Sequence, residues 1–217
     1  MPIVAPPNVT IAPATHRFFD ELVTAIAAQA TTVAGYVTHA QGTPYRFLDD
    51  WTMRMSCLTR REARSTLEVE VQPASVLTPL TKFSWPTSVD LRFAVATDVT
   101  EPPPPAEPYK ADLVGMQRLG ANVAEHAFVT FYENVSDLIQ AQYGDVGNRP
   151  ATLQFARTVR NAFAHGGTLN ITDLRPNTGT WNGLTYTAVQ NGRRLMFNDL
   201  SLGDLALLML DMNALLP

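Results

Sequence analysis

An arginine, an amide and a histidine stand together in Arg160-Asn161-Ala-Phe-Ala-His165, and a double glycine, Gly166-Gly167, follows at once. These residue types can handle a phosphodiester. A guanidinium neutralises phosphate oxygens, and an imidazole carries protons near neutral pH. An amide orients either partner. In that chemistry His165 is the acid–base group, the only one within the segment. Arg160 meets the non-bridging oxygens, where charge develops. Asn161 orients His165 or donates to phosphate, and Arg157, one turn earlier, is a secondary phosphate contact.

The spacing predicts the element that carries these groups. At roughly 100° per residue in a helix, Arg157, Asn161 and His165 drift along one face, with Arg160 beside Asn161. Phe155, Val159, Ala162 and Phe163 gather on the opposite side, so the helix is amphipathic with its apolar stripe turned to the core. The polar stripe has no acid and no lysine of its own. Gly166 is the expected C-cap, because glycine takes the left-handed conformation at little cost. His165 then falls in the last turn, where the negative end of the helix dipole favours its protonated form. A histidine there also serves simply to meet orphan carbonyls. Arg160 and Asn161 on the same side shift the reading towards chemistry.

Arg160-Asn161-x-x-x-His165, with the glycines after it, resembles the Arg-polar-x-x-x-His motif of the HEPN-domain family. The likeness covers the motif helix well and the helical order of the chain more loosely. It implies a mainly α fold, a HEPN-like bundle of about five helices with the motif on a late helix. It implies a metal-independent endoribonuclease, with no cofactor, leaving a 2′,3′-cyclic phosphate and a 5′-hydroxyl. It also implies a homodimer whose paired motifs make one composite site. One imidazole does not conveniently act as base and acid together, which is a physical reason for two copies. Family members include toxins of toxin–antitoxin pairs and phage-defence effectors, so an antitoxin or a nucleotidyltransferase becomes an expected partner beside the RNA substrate. Other members do not cleave RNA. The alternative reading is therefore a non-catalytic HEPN-like interaction module, in which Arg160 and Asn161 stabilise a helix–helix interface.

Composition bears on both readings. The 217 residues suit a single domain with an insertion, and the net charge of −4 argues against a broad surface that coats nucleic acid. It leaves room for one local basic site. Of the 16 basic residues only Lys82 and Lys110 are lysines. Arginine's planar fork suits phosphate, although genome composition produces the same bias. Cys57 is the sole cysteine, so no intrachain disulfide forms, and it reads as a packed residue of a helix. One cysteine and four scattered histidines make a metal site unexpected. The opening Met1-Pro2-Ile3-Val4-Ala5-Pro6-Pro7 lacks the blocks of a secretion signal, and no apolar run is long enough to span a membrane. The expectation is a cytoplasmic protein.

The remaining elements must position the motif. Residues 1–14, rich in Pro, Ala and Thr, read as a flexible tail, with the helical domain over 15–217. Thr15 is the expected cap of a first helix to about His39, and a second helix is expected over Phe47 to Arg64. Arg54, Arg60, Arg61 and Arg64 would make that second helix basic. Alternation at Leu67, Val69, Val71 and at Val89, Leu91, Phe93, Val95 predicts a β insertion over 66–100. Glu101 to Pro108 is a stiff proline-rich linker. A long helix from Ala111 to Tyr143 precedes the motif helix. It carries Glu125 and His126, either of which could reach the motif, although a solvated or hydrogen-bonded face is the plainer reading. A hairpin turning at Asn191-Gly192 follows the motif. Ser201-Leu-Gly-Asp204 caps a last helix, apolar nearly all round, that is either central or an oligomer interface.

Overall fold

The computed structural model describes residues 8–41, 53–59, 65–71, 73–96, 114–171 and 179–217. The fold is mainly helical. In chain order the elements are β1 (Asn8–Pro13), α1 (Phe19–Gln41), β2 (Met53–Thr59), β3 (Ser65–Val71), α2 (Pro73–Thr81) and β4 (Ser88–Ala96). Then come α3 (Val114–Tyr143), α4 (Ala151–Ala164), β5 (Thr180–Trp181), β6 (Leu184–Thr185) and α5 (Leu202–Ala214). Four strands form one antiparallel sheet in the order β1-β4-β3-β2.

α3 is the axis of the helical part. It packs against α1, α4 and α5. α1 runs antiparallel to it: Asn134 donates to Glu21 at one end, and a β-carbon at Gly120 would strike the Gln29 amide at the other. The core between these helices is aromatic. Phe18 meets Phe131 edge-on at 5.9 Å, and Phe128 meets Phe163 of α4 edge-on at 5.9 Å. Phe155 stacks on Tyr186 at 5.2 Å and lies 5.7 Å from Trp181. Trp181 in turn donates to Asp211 of α5 at 2.7 Å, which ties the small hairpin to the last helix. Buried aromatic pairs of this kind contribute area and a preferred geometry together.

Several expectations hold. β3 and β4 match the two alternating runs, α3 and α4 fall where the helical spacing put them, and the Ser201–Asp204 capping box closes both of its hydrogen bonds. α5 is central, packed on α3, α4 and β2. Others are corrected. Part of the expected tail, Asn8–Pro13, is an edge strand paired with β4, and Pro13 is tolerated at its end because an edge strand need not donate on both sides. α1 starts at Phe19, not after a Thr15 cap. Met53–Thr59, within the expected second helix, is strand β2, so Cys57 and Arg54 belong to the sheet. A short apolar run satisfies both periods, and pairing with β3 decides between them. The sheet thus exceeds the 66–100 insertion and encloses an unforeseen helix, α2. The hairpin turns at Asn182-Gly183, both at positive φ, while Asn191-Gly192 closes a separate turn after a capped 3-10 segment. Leu119 and Leu138 of α3 are exposed. Arg60, Arg61, Arg64, Lys110 and the linker 101–108 lie outside the described residues.

Candidate functional site

α4 presents the motif as its apolar side dictates. Leu153, Phe155, Ala156, Val159, Ala162 and Phe163 are buried, which turns Arg157, Arg160, Asn161 and His165 outward or to the margin. The helix ends in a pair of backbone bonds. Gly167 N–H donates to the Ala162 carbonyl at 2.9 Å and Gly166 N–H to that of Phe163 at 3.3 Å. With Gly166 at φ +83° and Gly167 at +79°, this is a Schellman closure, and the left-handed backbone favours glycine. Gly167 has a second constraint: a β-carbon there would lie 3.0 Å from Glu125 Oε1.

His165 is the C-cap residue and is exposed; its backbone N–H is turned to the Ala162 and Phe163 carbonyls. Its imidazole has no hydrogen-bond partner among the described residues. Arg160 is engaged instead. Its Nε and Nη2 donate to Glu133 Oε1 on α3, and its Nη1 donates to Asn161 Oδ1 at 3.0 Å. The Asn161 carbonyl therefore faces the guanidinium and not the imidazole. On a helix, positions 160 and 165 stand about 140° and about 7.5 Å apart. One copy of the chain leaves the two groups separate.

The acid missing from the α4 stripe comes from its neighbour. α3 and α4 run antiparallel, so Tyr132 and Glu133 lie opposite Arg160 while Phe128 lies opposite Phe163. Tyr132 is buried, which pushes its phenol up, and the charges of Arg149, Arg157 and Arg160 all pull against that shift. Arg149 Nη1 donates to the phenol oxygen at 3.5 Å, and the charges of the other two arginines reach it through space. Arg149 also binds Gln140 Oε1 at 2.7 Å and the Gly144 carbonyl, which holds it in place. Arg157 is exposed and forms no ion pair among the described residues.

Glu125 reaches the motif, and His126 does not. Glu125 is 8% exposed and lies against Gly167. Its Oε1 has no hydrogen-bond partner, burial pushes its carboxyl up, and Arg194 partly offsets that. His126 lines a groove on the other side of α3, towards α1. Arg149, Tyr132 and Glu133 were not foreseen. Tyr132 and Glu133 sit far from the motif in sequence, and only the antiparallel pairing of α3 with α4 brings them near, while Arg149 stands in the turn just before α4. Among the described residues no three His, Cys, Asp or Glu side chains gather as a metal-ion site would require. No helix among them is long and apolar enough to cross a membrane.

Searches against protein-family models, curated proteins and solved structures returned no match for this chain.

Proposed function

We propose that this chain is a HEPN-type endoribonuclease whose active site forms where two copies bring their α4 ends together. The carrying observation is that Arg149, Arg157 and Arg160 all act on the buried Tyr132 phenol, in a molecule whose motif histidine is exposed and has no hydrogen-bond partner among the described residues. In a chain of net charge −4 this is a local site for an anion. His165 moves the protons, Arg160 meets the phosphoryl oxygens, and Arg157 holds a flanking phosphate. Asn161 orients the Arg160 guanidinium, which it already contacts. The separation of Arg160 from His165 within one copy fits a composite site. RNA is the substrate in this reading, a homodimer the active form, and an antitoxin or nucleotidyltransferase the regulating partner of a cytoplasmic toxin or defence effector.

One observation favours the second reading, a non-catalytic HEPN-like interaction module. Arg160 is bound to Glu133 across the α3–α4 contact, as a purely structural residue would be. The two readings separate in one experiment. Purified wild type and His165→Ala are incubated with single-stranded and structured RNA, in EDTA, and their mass in solution is measured. The nuclease reading expects cleavage with cyclic-phosphate ends, lost by about a hundredfold or more in His165→Ala, with folding and dimerisation retained. Equal activity of the two proteins, or no cleavage by either, overturns it.

A further inference from the structure

The chain that leaves the motif pairs with a later segment, just before α5. The Gly167 carbonyl accepts from the Leu195 N–H at 3.0 Å, the Leu169 N–H donates to the Arg193 carbonyl at 2.9 Å, and Thr168 and Arg194 form an antiparallel bridge. In an antiparallel pairing, stepping back along one strand and forward along the other leads to the same end. Three steps back from Thr168 reach His165, and three steps forward from Arg194 reach Phe197. Both residues are exposed, Phe197 at 52%. The motif histidine and an aromatic ring thus lie at one end of the same pairing.

Phe197 is held there against its own preference. Its backbone is left-handed, φ 65°, which is strained for a bulky residue, and such strain gathers at functional sites. The turn that carries it is firmly built. The Phe197 N–H donates to the Leu200 carbonyl at 2.8 Å, the Asp199 N–H to that of Leu195 at 2.9 Å, and Asn198 Nδ2 to that of Arg194 at 2.9 Å. Arg193 pairs with Asp199 across the turn. Leu195, Met196 and Leu200 are buried, so the turn is anchored in the core while Phe197 stays half outside it. The exposed Arg193 brings a guanidinium to the same turn. An aromatic face beside an arginine is the pairing that single-stranded nucleic acids meet on proteins, one for the base and one for the phosphate.

We propose that Phe197 is a stacking platform for an unpaired RNA base next to His165, with Arg193 on the adjoining phosphate. A duplex keeps its bases stacked within itself, whereas an unpaired strand can lay one on an aromatic ring. The platform therefore selects single-stranded RNA and holds it by the base, while the motif meets the phosphodiester. This inference rests on the endoribonuclease reading and narrows its substrate to an unpaired strand.

Binding is measured on the full chain carrying His165→Ala, so that cleavage does not intervene. The probes are labelled oligoadenylate, the same ribose-phosphate chain without bases, and a perfect RNA duplex. Oligoadenylate is expected to bind most tightly. Adding Phe197→Gly should weaken it about tenfold, Phe197→Trp should keep it, and neither should change binding of the chain without bases. Glycine takes this backbone at little cost, so Phe197→Gly should melt close to its parent and the loss is not one of folding. Equal oligoadenylate affinity in Phe197→Gly, or an equal loss with the chain without bases, overturns the proposal. A fall in solution mass in Phe197→Gly with RNA binding unchanged overturns it in favour of a second copy covering the ring. RNA cleavage by the wild type together with an indifferent Phe197→Gly removes this inference alone, whereas no binding of any RNA removes the endoribonuclease reading with it.

Discussion

α3 has opposite electrical surroundings on its two sides. Towards α4 it meets Arg149, Arg157 and Arg160, with Glu133 as the nearest opposing acid. Towards α1 it meets Asp20 and Glu21, and no lysine or arginine lines the groove. The net charge of −4 averages these two regions into a mildly acidic protein and conceals both. The difference comes from which neighbour each side of the helix receives. A helix with buried apolar residues on two flanks, such as Phe128 towards α4 and Phe131 towards Phe18, can separate basic from acidic surroundings by its own width. The regions also differ in how their acids are used. Glu133 neutralises an arginine, whereas Glu21 keeps an oxygen unpartnered.

The strongest way to break the basic side while sparing the groove is through the glycine stop. Gly166→Ala meets open space and only the left-handed backbone, and should cost about 1 kcal/mol. Gly167→Ala adds the approach to Glu125 and should cost more, about 1–3 kcal/mol. Urea denaturation of both variants measures this. Equal losses would show that Glu125 does not restrain the turn.

Glu125→Gln sharpens the comparison through pH. Burial holds the Glu125 carboxyl above its ordinary value. At low pH it is protonated in folded and unfolded chains alike and costs nothing. As pH rises through the ordinary carboxylate range, about 4, the unfolded chain ionises first and stability is lost until the raised folded value is passed. Glu125→Gln should therefore be more stable than the parent at neutral pH, and the gap should close on acidification. Melting curves across pH give the answer; a gap that widens towards acid refutes the assignment.

The smallest expected effect on stability belongs to Glu133→Gln. The pair with Arg160 is partly exposed, so its loss should change stability by less than about 1 kcal/mol. Its effect on function should be larger in proportion. On the nuclease reading a released Arg160 is available to phosphate, and binding of a short RNA should tighten severalfold. Weaker RNA binding would instead mark Glu133 as a support of the site.

Much of the helical part was legible because it repeats a strong local signal. The apolar stripe of α4, its glycine stop and the capping box of α5 are each written within a few residues. The sheet was half legible. Ser65–Val71 and Ser88–Ala96 alternate clearly, but Met53–Thr59 suits either period, and Asn8–Pro13 is a strand only because β4 offers it an edge. Of two Asn-Gly pairs, the one that makes the hairpin is the one whose flanks, Trp181 and Leu184, are buried.

By itself the sequence determined the chemistry present on α4 and the face that carries it, since helical spacing and the cost of exposing Phe155, Val159 and Phe163 decide both locally. Only the tertiary structure decided what those groups meet. The antiparallel packing of α3 and α4 brought Glu133 to Arg160, Tyr132 to Arg149 and Glu125 beneath Gly167. The packing of α1 on its other side made an acidic groove. Contacts between residues far apart in the chain depend on how whole helices pack, and no local pattern of residues encodes that.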